Sequence, residues 1–90
     1  MGKVEFNVAV EMRVSVQDET ELDPVKLGLE KLHNVKIQST EVVDIGFGIK
    51  ALHTILLMID GEGGVDALEE KVRSVKGVSE VDIQNVTRLI

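Results

Sequence analysis

Val4, Phe6, Val8, Val10, Met12, Val14 and Val16 occupy every second position, with Glu5, Asn7, Ala9, Glu11, Arg13 and Ser15 between them. Successive side chains of a strand point to opposite faces, so a period of two predicts a strand with one buried face. The stripe starts at Lys3 and is long enough for a central strand ending near Val14.

The remaining elements follow from changes of period. Gln17 to Glu21 is polar and acidic and reads as a loop. Asp23-Pro24 predicts a helix start, with Asp23 capping free N–H groups and Pro24 at the first helical position, where a missing N–H costs no bond. Leu22, Val25, Leu29 and Leu32 share one face of that helix. Gly28 within it costs up to about 1 kcal/mol against Ala, which points to close packing on a sheet. Lys31 and His33 suit the negative end of the helix dipole, and Asn34 suits a left-handed stop. Val35 to Val43 has an edge-strand pattern whose phase changes near Ser39 and Thr40, predicting a bulge. Ala51 to Ile59 is apolar at nearly every residue, which predicts a central strand covered on both faces. Asp60 to Gly64 is a flexible loop. Val65 to Lys76 is a second helix with a stripe of Val65, Leu68, Val72 and Val75. Its acids come early and its bases late, as the dipole prefers, and Gly77 is placed to end it. Val78 to Val86 is a fourth strand, followed by a short tail, Thr87 to Ile90.

The order strand, helix, strand, strand, helix, strand is that of a ferredoxin-like α+β sandwich. Right-handed crossovers leave a gap in each half that another strand fills, which gives an antiparallel sheet of order 4-1-3-2 with both helices on one face. The hairpin between the second and third strands then lies at one end of the sheet. The carboxyl tail lies at the other, beside the Asp60 to Gly64 loop. A strand of about nine residues separates the two ends by roughly 30 Å.

Ninety residues make one domain, residues 1–90, too small for a second core. A hydrophobic share of 43% argues against disorder. The absence of Cys removes disulfides, thiolate catalysis and thiolate metal sites, and suits a reducing cytosol. No signal-like segment opens the chain, and the longest apolar run, Ile55 to Ile59, is far short of a membrane span. A net charge of −6 disfavours direct binding to phosphate backbones and suits a basic protein surface; the same charge also simply keeps a small protein soluble.

The chain holds two Phe and no Trp or Tyr, and one of the two, Phe47, stands between Gly46 and Gly48 in a turn. Such an aromatic is either folded back as a core plug or held out as an anchor for a partner. Gly46-x-Gly48-x-x-Ala51 matches a dinucleotide fingerprint in letters only, because a strand follows where the pyrophosphate site requires a helix. Gly61-x-Gly63-Gly64 does precede a helix, but Glu62 and Asp66 would repel phosphate and no Lys follows. A cation at Asp60, Glu62 and Asp66 lacks calcium-loop spacing. His33 and His53 stand alone, without the partners of a triad or zinc site. Strand aromatics for RNA binding, cysteines for copper transfer and the Arg and Asn of an acylphosphatase are all missing, so the fold alone selects no function.

Four stretches together carry a resemblance. They are the acidic approach from Asp44 into Gly46-Phe47-Gly48-Ile49-Lys50-Ala51-Leu52, the loop Asp60-Gly61-Glu62-Gly63-Gly64, Leu68-Glu69-Glu70, and the terminal Val86-Thr87-Arg88-Leu89. The chain resembles the archaeal elongation factor 1-beta family, the guanine-nucleotide exchange factors of elongation factor 1-alpha. The likeness spans nearly the whole chain, strongest from Asp44 onward and weak before Val35. It implies the fold derived above and a cytoplasmic exchange factor in translation, with no covalent chemistry and no cofactor of its own. The implied partner is elongation factor 1-alpha, with no direct nucleic acid or membrane contact and a monomeric or weakly self-associating chain. By resemblance, the hairpin of Gly46, Phe47, Gly48 and Lys50 anchors to the second domain of the GTPase. Arg88, with Leu89, reaches the magnesium and nucleotide site from the other end. Eukaryotic relatives carry Lys at the position of Arg88, which is a larger, planar cation. Ile90 extends the tail further.

Two other readings stand beside this one. A ferredoxin-like small-molecule-binding regulatory module would need a glycine-bearing first loop, which Gln17 to Glu21 is not. A scaffold subunit would pair through an apolar sheet face that includes Leu52 and Ile55 to Met58.

Overall fold

A computed structural model describes residues 6–59, 61 and 63–89. Six main elements follow the expected order: β1 (Val8–Val16), α1 (Leu22–Glu30), β2 (Val35–Asp44), β3 (Lys50–Met58), α2 (Gly64–Arg73) and β4 (Val78–Arg88). The sheet runs β2-β3-β1-β4 and is antiparallel throughout, the expected order seen from the other edge. The molecule is elongated, with extents of 44 × 23 × 20 Å.

The period-two stripe builds the core. Val8, Val10, Met12, Val14 and Val16 are all buried, and they meet Leu52, Leu56 and Met58 of β3. Val25 and Leu29 of α1 and Leu68 and Val72 of α2 close the same cluster, so both helices cover one sheet face. The start of the stripe, Lys3 to Glu5, lies outside the described residues. Phe6 is half-buried just ahead of β1, and the strand runs two residues past the expected Val14.

Among the described residues, one polar side chain sits in this core. Thr54 is fully buried, and its hydroxyl donates to the Ser39 carbonyl at 2.9 Å, with the Thr40 hydroxyl 3.3 Å away. The β2–β3 register shifts between Ile37 and Ser39, at the bulge expected there. The bulge interrupts the ladder, and the exposed Ser39 carbonyl there accepts from the Thr54 hydroxyl, whose own burial makes a partner necessary.

Local expectations differ from the structure at several points. The first helix does not start on Asp23. Asp18 accepts the Thr20 N–H at 2.9 Å and opens a 3-10 turn at Glu19–Glu21, which leads directly into α1. That bond, more than the one from the Thr20 hydroxyl, lowers the pKa of Asp18. Asp23 and Pro24 therefore fall inside the first turn of α1, whose N–H groups have no intrahelical partner, so Pro24 is still tolerated. Gly28 packs against the turn that follows α2 rather than the sheet: a Cβ there would meet Val75 Cγ1 at 2.6 Å. The second helix ends at Arg73, before Gly77, where the Ser74 hydroxyl donates to the Glu70 carbonyl. Gly77, at φ 99°, turns the chain into β4 against Glu21 and Val25.

Strand β3 is central but not covered on both faces. Ile55 and Leu57 are half-buried on the helix-free side, which no second layer covers among the described residues. Glu41, His53, Arg13 and Asp82 form one rung across all four strands on that side. His53 is thus not alone: Nε2 lies 2.6 Å from Glu11 and Nδ1 3.7 Å from Glu41, while Arg13 pairs with Asp82 at 3.4 Å.

Candidate functional site

The β2–β3 hairpin is built on a turn at Gly46 to Ile49. Ile49 N–H donates to the Gly46 carbonyl and Ile45 N–H to the Ile49 carbonyl, each at 2.9 Å. Phe47 and Gly48 have φ of 53° and 76°, the sign pattern of a type I′ turn, which normally takes Asn-Gly. A bulky residue in the left-handed region costs roughly 1–2 kcal/mol. Packing does not offset that cost, because Phe47 is 104% exposed. Leaving a ring of that size in water forgoes about 1.5–3 kcal/mol of burial. The core-plug alternative is therefore excluded by position.

Around Phe47 the surface is apolar. Ile45 and Ile49 flank it in the chain, at 39% and 52% exposure, and Val42, at 55%, lies two rungs from the last rung of the ladder. Sequence reasoning did not single out these three. Their signal was present, since a turn flanked by Ile on both sides is unusually apolar for a loop tip. Asp44 holds the base of the turn. Its Oδ1 accepts the Gly46 N–H at 2.9 Å, and its Oδ2 lies 3.3 Å from Lys50 Nζ. The Gly46 bond first, then the bond and charge of Lys50, hold the Asp44 carboxyl below its ordinary value.

At the opposite end of the sheet, Val8 pairs with Met58 on one side and Arg88 on the other. The expected tail is not loose: Thr87 and Arg88 belong to β4, and Leu89 N–H donates to the Asn7 carbonyl at 2.9 Å. The reason is that β1 begins early enough to offer partners to the end of β4. Arg88 is exposed, as are Val86, Leu89 and Ile59. The Val8–Met58 rung and the Ser15–Ala51 rung beside the hairpin are separated by about 24 Å of strand. Gly46, Phe47, Gly48 and Lys50 therefore share one end, and Arg88 and Leu89 the other.

Among the described residues no group of His, Asp and Glu is arranged to hold a metal. The carboxylates at His53 face opposite ring nitrogens and do not converge on one point. Ala51 follows the Gly46-x-Gly48 pair in a strand, as the rejection of the dinucleotide fingerprint requires. Asp60 and Glu62 of the other glycine-bearing loop lie outside the described residues. A cleft lined by Asn34, Val35, Met58, Ile59 and Leu68 holds about 100 Å³, below the about 300–1,000 Å³ of small-molecule pockets. Two larger but more open depressions, about 460 Å³ along α2 and about 300 Å³ between α1 and Val75, face solvent. No helix among the described residues is long and apolar enough to cross a membrane.

The geometry places exposed apolar side chains at both ends of one sheet, Ile45, Phe47 and Ile49 at one and Ile59, Val86 and Leu89 at the other. Comparison with known proteins agrees with the resemblance carried by the hairpin and the terminal stretch. Residues 8–89 match the family described as the EF-1 guanine nucleotide exchange domain. The chain is 37% identical to elongation factor 1-beta of Thermofilum pendens, over 90% of this chain and 93% of that protein. It is 35% identical to elongation factor 1-beta of Natronomonas pharaonis, over 99% and 100% of the two chains. The corresponding protein of Thermoplasma volcanium is 46% identical over 64% of this chain and 67% of its own length. The chain belongs to the EF-1 guanine nucleotide exchange domain family.

Proposed function

We propose that this chain promotes release of GDP from elongation factor 1-alpha by gripping the GTPase at two separated points. The observation that carries the mechanism is Phe47, fully exposed on a left-handed backbone at the end of the sheet away from Arg88. Two unrepaid costs at one residue in the free chain suit a side chain whose pocket is on a partner. Phe47, with Gly46, Gly48 and Lys50, docks on the second domain of the GTPase. Arg88, beside Leu89, approaches the magnesium and nucleotide from the far end, and its cationic guanidinium competes with Mg²⁺ for the same anionic ligands. Arg88 reaches from the end of a paired strand, so its approach is set by the orientation of the sheet.

Exchange follows from linkage. The factor binds the nucleotide-free GTPase more tightly than the loaded one, so factor and nucleotide weaken each other's binding by the same amount. No bond in GDP is made or broken, and the chain needs no cofactor. It acts as a single domain in the cytoplasm, as a monomer or weakly self-associating chain, and its acidic surface meets protein rather than nucleic acid or membrane. Stopped-flow release of a fluorescent GDP analogue from elongation factor 1-alpha tests this. The wild-type chain accelerates release, and Arg88→Ala abolishes most of the acceleration at saturation. An unchanged saturating rate for Arg88→Ala removes that residue from the mechanism.

A further inference from the structure

The exposed ring of Phe47 makes no packing contact that would hold its own backbone in place. Its conformation must therefore be imposed by its neighbours. Gly46 and Gly48, with φ of 113° and 76°, permit the turn, but glycine permits many other conformations as well. Two backbone bonds, from Ile49 N–H to Gly46 and from Ile45 N–H to Ile49, close the turn, and Asp44 is the side chain that adds to them. Its Oδ1 accepts from the Gly46 N–H at 2.9 Å, a side-chain mimic of a backbone turn. Its Oδ2 receives the Lys50 ammonium at 3.3 Å, from its own partner in the last rung of the β2–β3 ladder. A single carboxylate thereby ties the first residue of the turn to the first residue of the returning strand.

We infer that Asp44 is a positioning residue for docking: its carboxylate sets the hairpin before contact, so that Phe47 enters the partner's pocket without being ordered on binding. The inference rests on the reading of Phe47 as an anchor. A pre-ordered loop lowers the conformational cost of association. Because Asp44 lies at the opposite end from Arg88, that gain affects how much factor is needed and not how fast bound GDP leaves.

GDP-release titrations against elongation factor 1-alpha carrying a fluorescent GDP analogue test it, using Asp44→Ala, Asp44→Asn, Phe47→Ala and the Asp44→Ala/Phe47→Ala pair. Asp44→Ala raises the half-saturating concentration by about three- to tenfold, the scale of a lost side-chain cap, at an unchanged maximal rate. Asp44→Asn keeps an acceptor for the Gly46 N–H and restores most of the loss. In the Phe47→Ala background, Asp44→Ala adds nothing. Hydrogen exchange of the free protein shows a faster Gly46 amide in Asp44→Ala and an unchanged Leu56 amide, which separates a loosened hairpin from a lost fold. Equal losses in both backgrounds, or an unaltered half-saturation, overturn the positioning role. If Phe47→Ala alone is harmful and Asp44→Ala is not, only this inference fails. If Phe47→Ala is indistinguishable from wild type, the anchor reading fails with it.

Discussion

Phe47 occupies a backbone conformation that its own side chain opposes, and it does so in water. A turn position of this kind favours Asn, whose short polar side chain tolerates positive φ. Phe47→Asn is therefore expected to stabilise the free protein by about 1 kcal/mol in urea unfolding while weakening the partner complex. A destabilised Phe47→Asn would mean that the ring supports the fold after all. Asp44 sets the pH behaviour of the same hairpin. Its folded-state pKa is lowered, so its contribution is whole above its ordinary value of 3.8 and is lost as pH falls through the lower folded value. The Gly46 amide shift is expected to titrate with a midpoint below 3.8, and a midpoint at or above it contradicts the Asp44 bond. In the sequence, Phe47 was conspicuous because it is an aromatic between two glycines. Ile45, Ile49 and Asp44 were less so, because their roles depend on which side chains the turn leaves uncovered.

Elements were legible where their period was clean. The Val8 to Val16 stripe, the β2 phase change and the Leu68 and Val72 face all stand where their spacing put them. Boundaries were harder, since competing local bonds decide them. Asp18 captured Thr20 and started a helical turn ahead of Asp23, and Ser74 bonded Glu70 and closed α2 ahead of Gly77. Pairing with the start of β1 drew Thr87 and Arg88 into β4, which no feature of the tail itself announces. The bulge offers a test at this scale. Thr54→Val keeps the shape of the side chain but removes the donor to the Ser39 carbonyl, and is expected to cost about 0.5–1.5 kcal/mol of unfolding free energy. A neutral Thr54→Val would mean that another group, or water, satisfies that carbonyl.

At the scale of the whole molecule, the order of strands and helices was enough to deduce the topology, because handedness and pairing leave few arrangements for this element order. The uncovered side of β3 was misjudged for a related reason. A run of apolar residues does not say whether a second layer exists, and here the helix-free face carries the Glu41, His53, Arg13 and Asp82 rung beside half-exposed Ile55 and Leu57. The same topology carries the central claim, since it places the apolar hairpin and the terminal cation at opposite ends of one rigid sheet. On the proposed two-point grip, affinity belongs to the hairpin end and nucleotide release to the Arg88 end. The most direct measurement is the concentration dependence of GDP release for Phe47→Ala and Arg88→Ala against wild type. Two-point gripping predicts that Phe47→Ala raises the half-saturating concentration at a nearly unchanged maximal rate, and that Arg88→Ala lowers the maximal rate. Loss of the same quantity in both variants, or of neither, would contradict it.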